Sequence, residues 1–184
     1  MKVLFLDNDG VICLSNNWGS RFKKQKKEGF VLANDPDMPV HLRFDNFDIK
    51  AIKILNKVLE KTGAEIVVSS DWKRWATLEE IGDYYQSQGI IKRPIGMTKF
   101  FTQLNFHSLK EISWSKEWKL EQERHFEILD WLSNHPEVEK WVAVDDLDMS
   151  INGNWGLKNF VLTPRSYEGI KQCGISNKLI KFLI

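Results

Sequence analysis

The chain has 184 residues, with 26 Lys and Arg against 25 Asp and Glu and a formal charge of +1. That length suits one domain with a real core, and the charge balance excludes a global electrostatic pull toward nucleic acid or an anionic membrane, leaving only local patches for such partners. Two cysteines, Cys13 and Cys173, are too few for a disulfide framework and suggest a reducing compartment.

The opening residues lack the pattern of a signal peptide, and no apolar run reaches membrane-spanning length. The expectation is a soluble, cytoplasmic protein with no membrane and no obligate protein partner. Val3–Leu6 reads as a buried strand that ends in two carboxylates, Asp7 and Asp9, followed by Gly10. An irregular region, about 14–47, follows with Asn, Gly and Pro punctuation and has the character of a flap or insertion. Within it, Phe30–Leu32 and Val40–Leu42 suggest a small hairpin. The basic run Arg21–Lys27 reads either as a solvated face or as a contact for a phosphate backbone.

Asp48 is placed to cap a helix carrying Ile49, Ile52, Leu55, Asn56 and Leu59, with Gly63 as its stop. Ala64–Val68 is a second buried strand, ending in Ser69, Ser70 and Asp71. A helix over Thr77–Gln88 is stopped by Gly89, and a short third strand falls within Ile90–Ile95, interrupted by Pro94. Met97–Ser115 shows no clear period. Lys116–Asn134 is a helix with an apolar stripe of Leu120, Ile128, Leu129, Trp131 and Leu132, ended by His135-Pro136. Trp141–Val144 is a buried strand running into Asp145, Asp146 and Asp148. Asn159–Thr163 is a last strand before a helical tail.

Strands alternating with helices imply a parallel sheet with right-handed crossovers, hence one α/β domain over 1–184. In such a sheet the ends of the three acidic or hydroxylic strands share one edge, where ligands bind. Converging carboxylates suit a hard divalent cation, and Mg²⁺ is the usual choice where phosphate also enters. One carboxylate can attack phosphorus while a second moves the proton. The helix before the Asp145 strand runs antiparallel to it, so Lys116, Lys119 and Arg124 near its start are candidate cations for the transferring group. Each is equally readable as an exposed helix charge.

These motifs carry a resemblance. VLFLDNDGV resembles motif I of the haloacid dehalogenase (HAD) superfamily of phosphohydrolases, IVVSS its motif II and WVAVDD its acidic motif IV. The runs ILNKVLEKTGAEIVVSSDWKRW and RHFEILDWLSNHPEVEKWVAVDD resemble the small HAD domains of Swiss-army-knife RNA-repair proteins. The resemblance implies a three-layer Rossmann-like HAD fold with a central parallel sheet and a minimal or absent cap. It implies a Mg²⁺-dependent phosphohydrolase with Asp7 as nucleophile and metal ligand. Asp9 would be the general acid/base with its carbonyl on the metal, Ser69 a phosphoryl contact, and Asp145 and Asp146 the rest of the metal site. The RxxEI pattern favours Arg124 as the motif III cation, with Lys119 the alternative. Ser70, Lys73 and Arg74 are expected to bind substrate.

The acid at position 9 favours phosphatases over the superfamily's phosphoryl-ATPases and dehalogenases. An uncapped site admits a large phosphorylated substrate such as an RNA or DNA end, as well as a nucleotide. The competing reading is a HAD-fold binding module that uses the acidic edge for metal or partner contact. Asp146 and Asp148 compete for one role, the other being a loop acid. The histidines His41, His107, His125 and His135 lack ligand spacing and read as structural. Trp72, Trp75, Trp114 and Trp118 lie near basic residues and either pack in the core or stack on bases.

Overall fold

The computed structural model describes residues 1–14, 29, 38–104, 119–150, 156–164 and 167–184. The basic run Arg21–Lys27, the apolar run Phe30–Leu32 and the residues Lys116, Trp114 and Trp118 lie outside that set. Five apolar runs form strands β1 (Lys2–Leu6), β2 (Glu65–Val68), β3 (Pro94–Met97), β4 (Lys140–Asp145) and β5 (Phe160–Leu162). They pair in parallel in the order β3-β2-β1-β4-β5. The order reverses direction between β1 and β4, the position at which open α/β sheets bind ligands.

Alternation along the central strand explains the layers. Leu4 and Leu6 point into one apolar cluster, while Val3 and Phe5 point into another. The first cluster packs under α2 (Ile49–Thr62), α3 (Leu78–Ser87) and α5 (Ile175–Leu183); the second packs under α4 (Leu120–Ser133). This three-layer arrangement is the expected Rossmann-like fold. No helix among the described residues is long and apolar enough to cross a membrane.

Local signals hold closely at the helix ends. The Asp48 carboxylate accepts from the Ala51 N–H at 2.9 Å, and Gly63 closes α2 at φ 69°, with its N–H bonded to the Leu59 carbonyl at 2.8 Å. Thr77 and Glu80 form a reciprocal capping box on α3.

Three expectations are corrected. Val40–Arg43 forms α1, a single helical turn, where a hairpin arm was expected. Arg43 holds it there, donating to the Met38 carbonyl at 2.8 Å, to the Trp75 carbonyl at 2.8 Å and to Glu80 at 3.1 Å. The third strand starts at Pro94 and is not broken by it: β3 is an edge strand, and proline is tolerated as a strand's first residue. The apolar stripes are also displaced. Ile49 is 71% exposed while Ala51, Val58 and Thr62 join the buried face, and Leu120 and Leu129 lie partly outside while Arg124, His125 and Glu127 turn inward. The inward face of α4 is therefore mixed, with Arg124, His125 and Glu127 buried beside Phe126, Ile128 and Trp131.

Candidate active site at the carboxyl edge of the sheet

Pairing register places the site. Leu6 is level with Val68 on one side and Val144 on the other, so the next residues, Asp7, Ser69 and Asp145, stand side by side. The ladder continues into them through Ser69 N–H to the Leu6 carbonyl at 2.9 Å and Asp7 N–H to the Val144 carbonyl at 3.1 Å. Residues level in a parallel sheet share a face, so these three side chains project from one face of the edge. All three are buried.

Beyond Asp7 the chain turns sharply. The Asn8 carbonyl accepts from the N–H groups of Ile12 and Cys13 at 3.0 and 2.8 Å, and the Asn8 side chain accepts from the Tyr85 hydroxyl at 2.6 Å. Gly10 makes the turn possible at φ 74°. It also makes room, because a Cβ there would lie 2.5 Å from Asp146 Oδ2. Gly10 thus lets the β1 turn and the Asp146 carboxylate share the edge. Gly10→Ala is expected to cost about 1–2 kcal/mol of stability from left-handed strain alone. It should also displace Asp146 from Asp7 and Asp145 and so weaken any divalent cation held by the three. Denaturant unfolding and isothermal titration with Mg²⁺ check the two effects.

Asp7, Asp145 and Asp146 each offer a carboxylate oxygen, all within 4.8 Å of one another. An all-oxygen, carboxylate-rich donor set of this kind fits Mg²⁺. The Ser69 hydroxyl adds to that fit: it is buried with no hydrogen-bond partner among the described residues, a condition proteins rarely tolerate unless a ligand completes it. Asp148 is a loop acid, accepting from the N–H of Ser150 at 2.9 Å, so Asp146 is the one of the two acids gathered with Asp7 and Asp145.

Arg124 reaches this cluster from the first half of α4. Its Nη1 lies 3.3 Å from Asp7 Oδ1 and 3.2 Å from Asp145 Oδ2, and donates to the Ser69 carbonyl. Nη2 is 3.4 Å from Asp71 and Nε 3.9 Å from Glu127. Lys119 stands exposed at the N-cap of α4, its backbone N–H donating to Gln122 at 3.1 Å. Of the two candidate cations, the structure brings Arg124 to Asp7.

Electrostatics follow from this packing. Burial, then the neighbouring Asp145, raises the Asp7 pKa well above the carboxylate range, with Arg124 and a hydrogen bond from Ser70 pulling the other way. Burial likewise pushes Asp145 up to about 6. Burial works against the Arg124 charge, but Asp7, Asp145, Asp71 and Glu127 outweigh it and hold the guanidinium firmly protonated. The edge is thus short of positive charge, as a cation site should be.

The remaining expected residues divide. Asp9 is exposed at the rim, and its Oδ2 accepts from the Trp72 indole N–H at 2.9 Å. Ser70 is buried and caps a 3₁₀ turn over Asp71–Arg74. Arg74 is half exposed and lies over the Phe100 ring at 4.8 Å. Lys73 faces inward: its ammonium contacts Glu127 at 2.5 Å, Thr98 at 3.0 Å and the Lys99 carbonyl at 3.1 Å, using all three donors. Burial lowers its pKa, and Glu127 opposes the shift. Trp72 is buried between Phe44 and Phe47, at centroid distances of 3.9 and 5.3 Å, so it packs and does not offer a face for a base. His125 is buried with a lowered pKa for that reason, consistent with a structural role.

Sequence reasoning missed Glu127, which ties Lys73, Arg124 and the Phe101 N–H (2.9 Å) together behind the site. The one available signal was the acid of RxxE, three residues after Arg124 and so on the same helical face.

Among known families, the HAD domain in Swiss Army Knife RNA repair proteins matches residues 3–173, nearly the whole chain. No curated protein and no solved structure matches it.

Proposed function

The chain belongs to the family of HAD domains found in Swiss Army Knife RNA repair proteins, and from that premise we propose that it is a Mg²⁺-dependent phosphomonoesterase working through an aspartyl-phosphate. The observation that carries this reading is the Arg124 guanidinium between Asp7 and Asp145, at 3.3 and 3.2 Å, where the sheet order reverses.

Asp7 is the nucleophile. A carboxylate oxygen of Asp7 attacks phosphorus, the bond from phosphorus to the leaving oxygen breaks, and Asp9 gives that oxygen its proton. Asp9, now ionised, takes a proton from water as the water oxygen attacks phosphorus. The bond from Asp7 to phosphorus breaks, and inorganic phosphate and the free carboxylate are restored. Arg124 holds the nucleophile in place, and the unpartnered Ser69 hydroxyl is available to donate to a phosphoryl oxygen. Asp7, Asp145 and Asp146 would hold Mg²⁺, with the Asp9 carbonyl as a further ligand, and the ion would offset negative charge on the phosphoryl oxygens.

The family's place in RNA repair proteins supports a substrate phosphate on an RNA end, and the proposal extends to a DNA end or a nucleotide as forms of the same chemistry and to a cytoplasmic setting. The same reading takes Ser70 and Arg74, which flank the turn carrying Asp71, as substrate contacts. The test is hydrolysis of an aryl phosphate and of 3′- and 5′-phosphorylated oligonucleotides, with Mg²⁺ and with EDTA. Turnover with Mg²⁺ that EDTA removes is expected. Absence of metal-dependent turnover on all of them would leave the fold as a binding module.

A further inference from the structure

The Trp72–Asp9 contact is not needed to hold the sheet together, and it joins a buried element to the exposed acid of the site. A carboxylate at a rim samples several rotamers, and proton transfer requires one of them. The indole has a single donor, Nε1–H, and a buried tryptophan places it on a fixed partner. Here that partner is Asp9 Oδ2 at 2.9 Å.

The donor is itself immobilised. Trp72 is 3% exposed and lies nearly parallel to Phe44, at an interplanar angle of 6°, with Phe47 at 20°. Tyr84 closes the cluster, its ring centroid 5.8 Å from that of Trp72. The backbone on both sides is pinned. Arg43 ties the Phe44 segment to the Trp75 carbonyl and to Glu80, and the Ser70 hydroxyl caps the Trp72 N–H at 3.5 Å. The indole N–H is therefore fixed relative to the ends of β1 and β2.

We infer that Trp72 is a positioning residue for proton transfer: its indole N–H holds the Asp9 carboxyl in the orientation that serves the leaving oxygen. The inference rests on the phosphomonoesterase reading above. It predicts a defect in both proton transfers of Asp9, and kcat/KM isolates the first of them because it does not include hydrolysis of the aspartyl-phosphate. An aryl phosphate with an acidic phenol leaves with little help from an acid, whereas an alkyl phosphate depends on protonation.

Trp72→Phe keeps the aromatic stack and removes the donor. Its kcat/KM on an alkyl phosphate should fall about tenfold or more, a fraction of the usual value of general acid catalysis. On 4-nitrophenyl phosphate kcat/KM should fall less than about threefold. The ratio of the two rates within one preparation is independent of the folded fraction, so loss of fold cannot imitate it. A second measurement needs no turnover: the Trp72 indole N–H resonance, assigned by its absence in Trp72→Phe, should move in Asp9→Ala. Equal losses of kcat/KM on both substrates, no loss on either, or an indole resonance unmoved in Asp9→Ala would overturn the positioning role while leaving the phosphatase reading intact. A wild-type chain inactive on both substrates would instead overturn that reading, and the positioning role with it.

Discussion

Asp7→Asn is expected to abolish turnover, by about 10⁴-fold or more, because the amide oxygen that replaces the carboxylate is a poor nucleophile and no neighbouring group can take over its attack in line. Asp9 is two residues on, just before Gly10, and its carboxylate is held toward Trp72. Asp145 is gathered with Asp7 but belongs to a different strand and faces the Arg124 guanidinium. The fold should survive. In EDTA the variant should be at least as resistant to denaturant as the wild type, because Asp7 is a buried acid crowded by Asp145, and its charged form is disfavoured in the folded state. The sign follows from linkage: a carboxyl whose folded pKa is raised makes the folded state less stable above its unfolded pKa, and the amide removes that penalty. Mg²⁺ should reverse the order by stabilising only the wild type strongly. Phosphatase assays paired with denaturant unfolding, with and without Mg²⁺, check both halves. Residual activity near the wild-type level would remove Asp7 from the nucleophile role.

This opposition between stability and chemistry explains what could be seen in the sequence. The strands were legible because each is a short apolar run, and their ends were legible because a buried run that stops in acids has few structural uses. Asp7, Ser69 and Asp145 then follow from register alone, once the sheet is parallel. Arg124 was one of several candidates until α4 was seen to turn polar side chains inward. Its hydrophobic period misled for that reason: Leu120 and Leu129 are partly exposed because Arg124, His125 and Glu127 occupy the buried positions that a conventional amphipathic helix gives to apolar side chains. The partners that hold the site were the least legible. Trp72 meets Asp9 across 63 residues of sequence, and Lys73 meets Glu127 across 54. Neither spacing has a local period, and each depends on how a loop leaves its strand.

Arg124→Ala is expected to cost about 3–5 kcal/mol of stability in the metal-free protein, the usual penalty for leaving buried charges without their partner. Asp7, Asp145, Asp71 and Glu127 all lie within 4 Å of the guanidinium, and Lys73, already committed to Glu127, is too occupied to replace it. The loss should shrink as pH falls from 7 toward 5. Burial already holds Asp145 up to about 6, and removing a neighbouring cation raises it further, so acid neutralises the repulsion that the variant exposes. Arg124→Lys should recover part of the stability and less of the turnover, because a single ammonium cannot face Asp7, Asp145, Asp71 and Glu127 at once. Lys119→Ala should change stability by less than about 0.5 kcal/mol, since Lys119 is exposed at the start of α4. Urea unfolding of the three variants at pH 5 and pH 7 reads these differences directly. A pH-independent loss in Arg124→Ala would mean that packing of the side chain, not its charge, holds the acidic edge together. In that case the cation serving the phosphoryl group would have to be sought elsewhere on the rim.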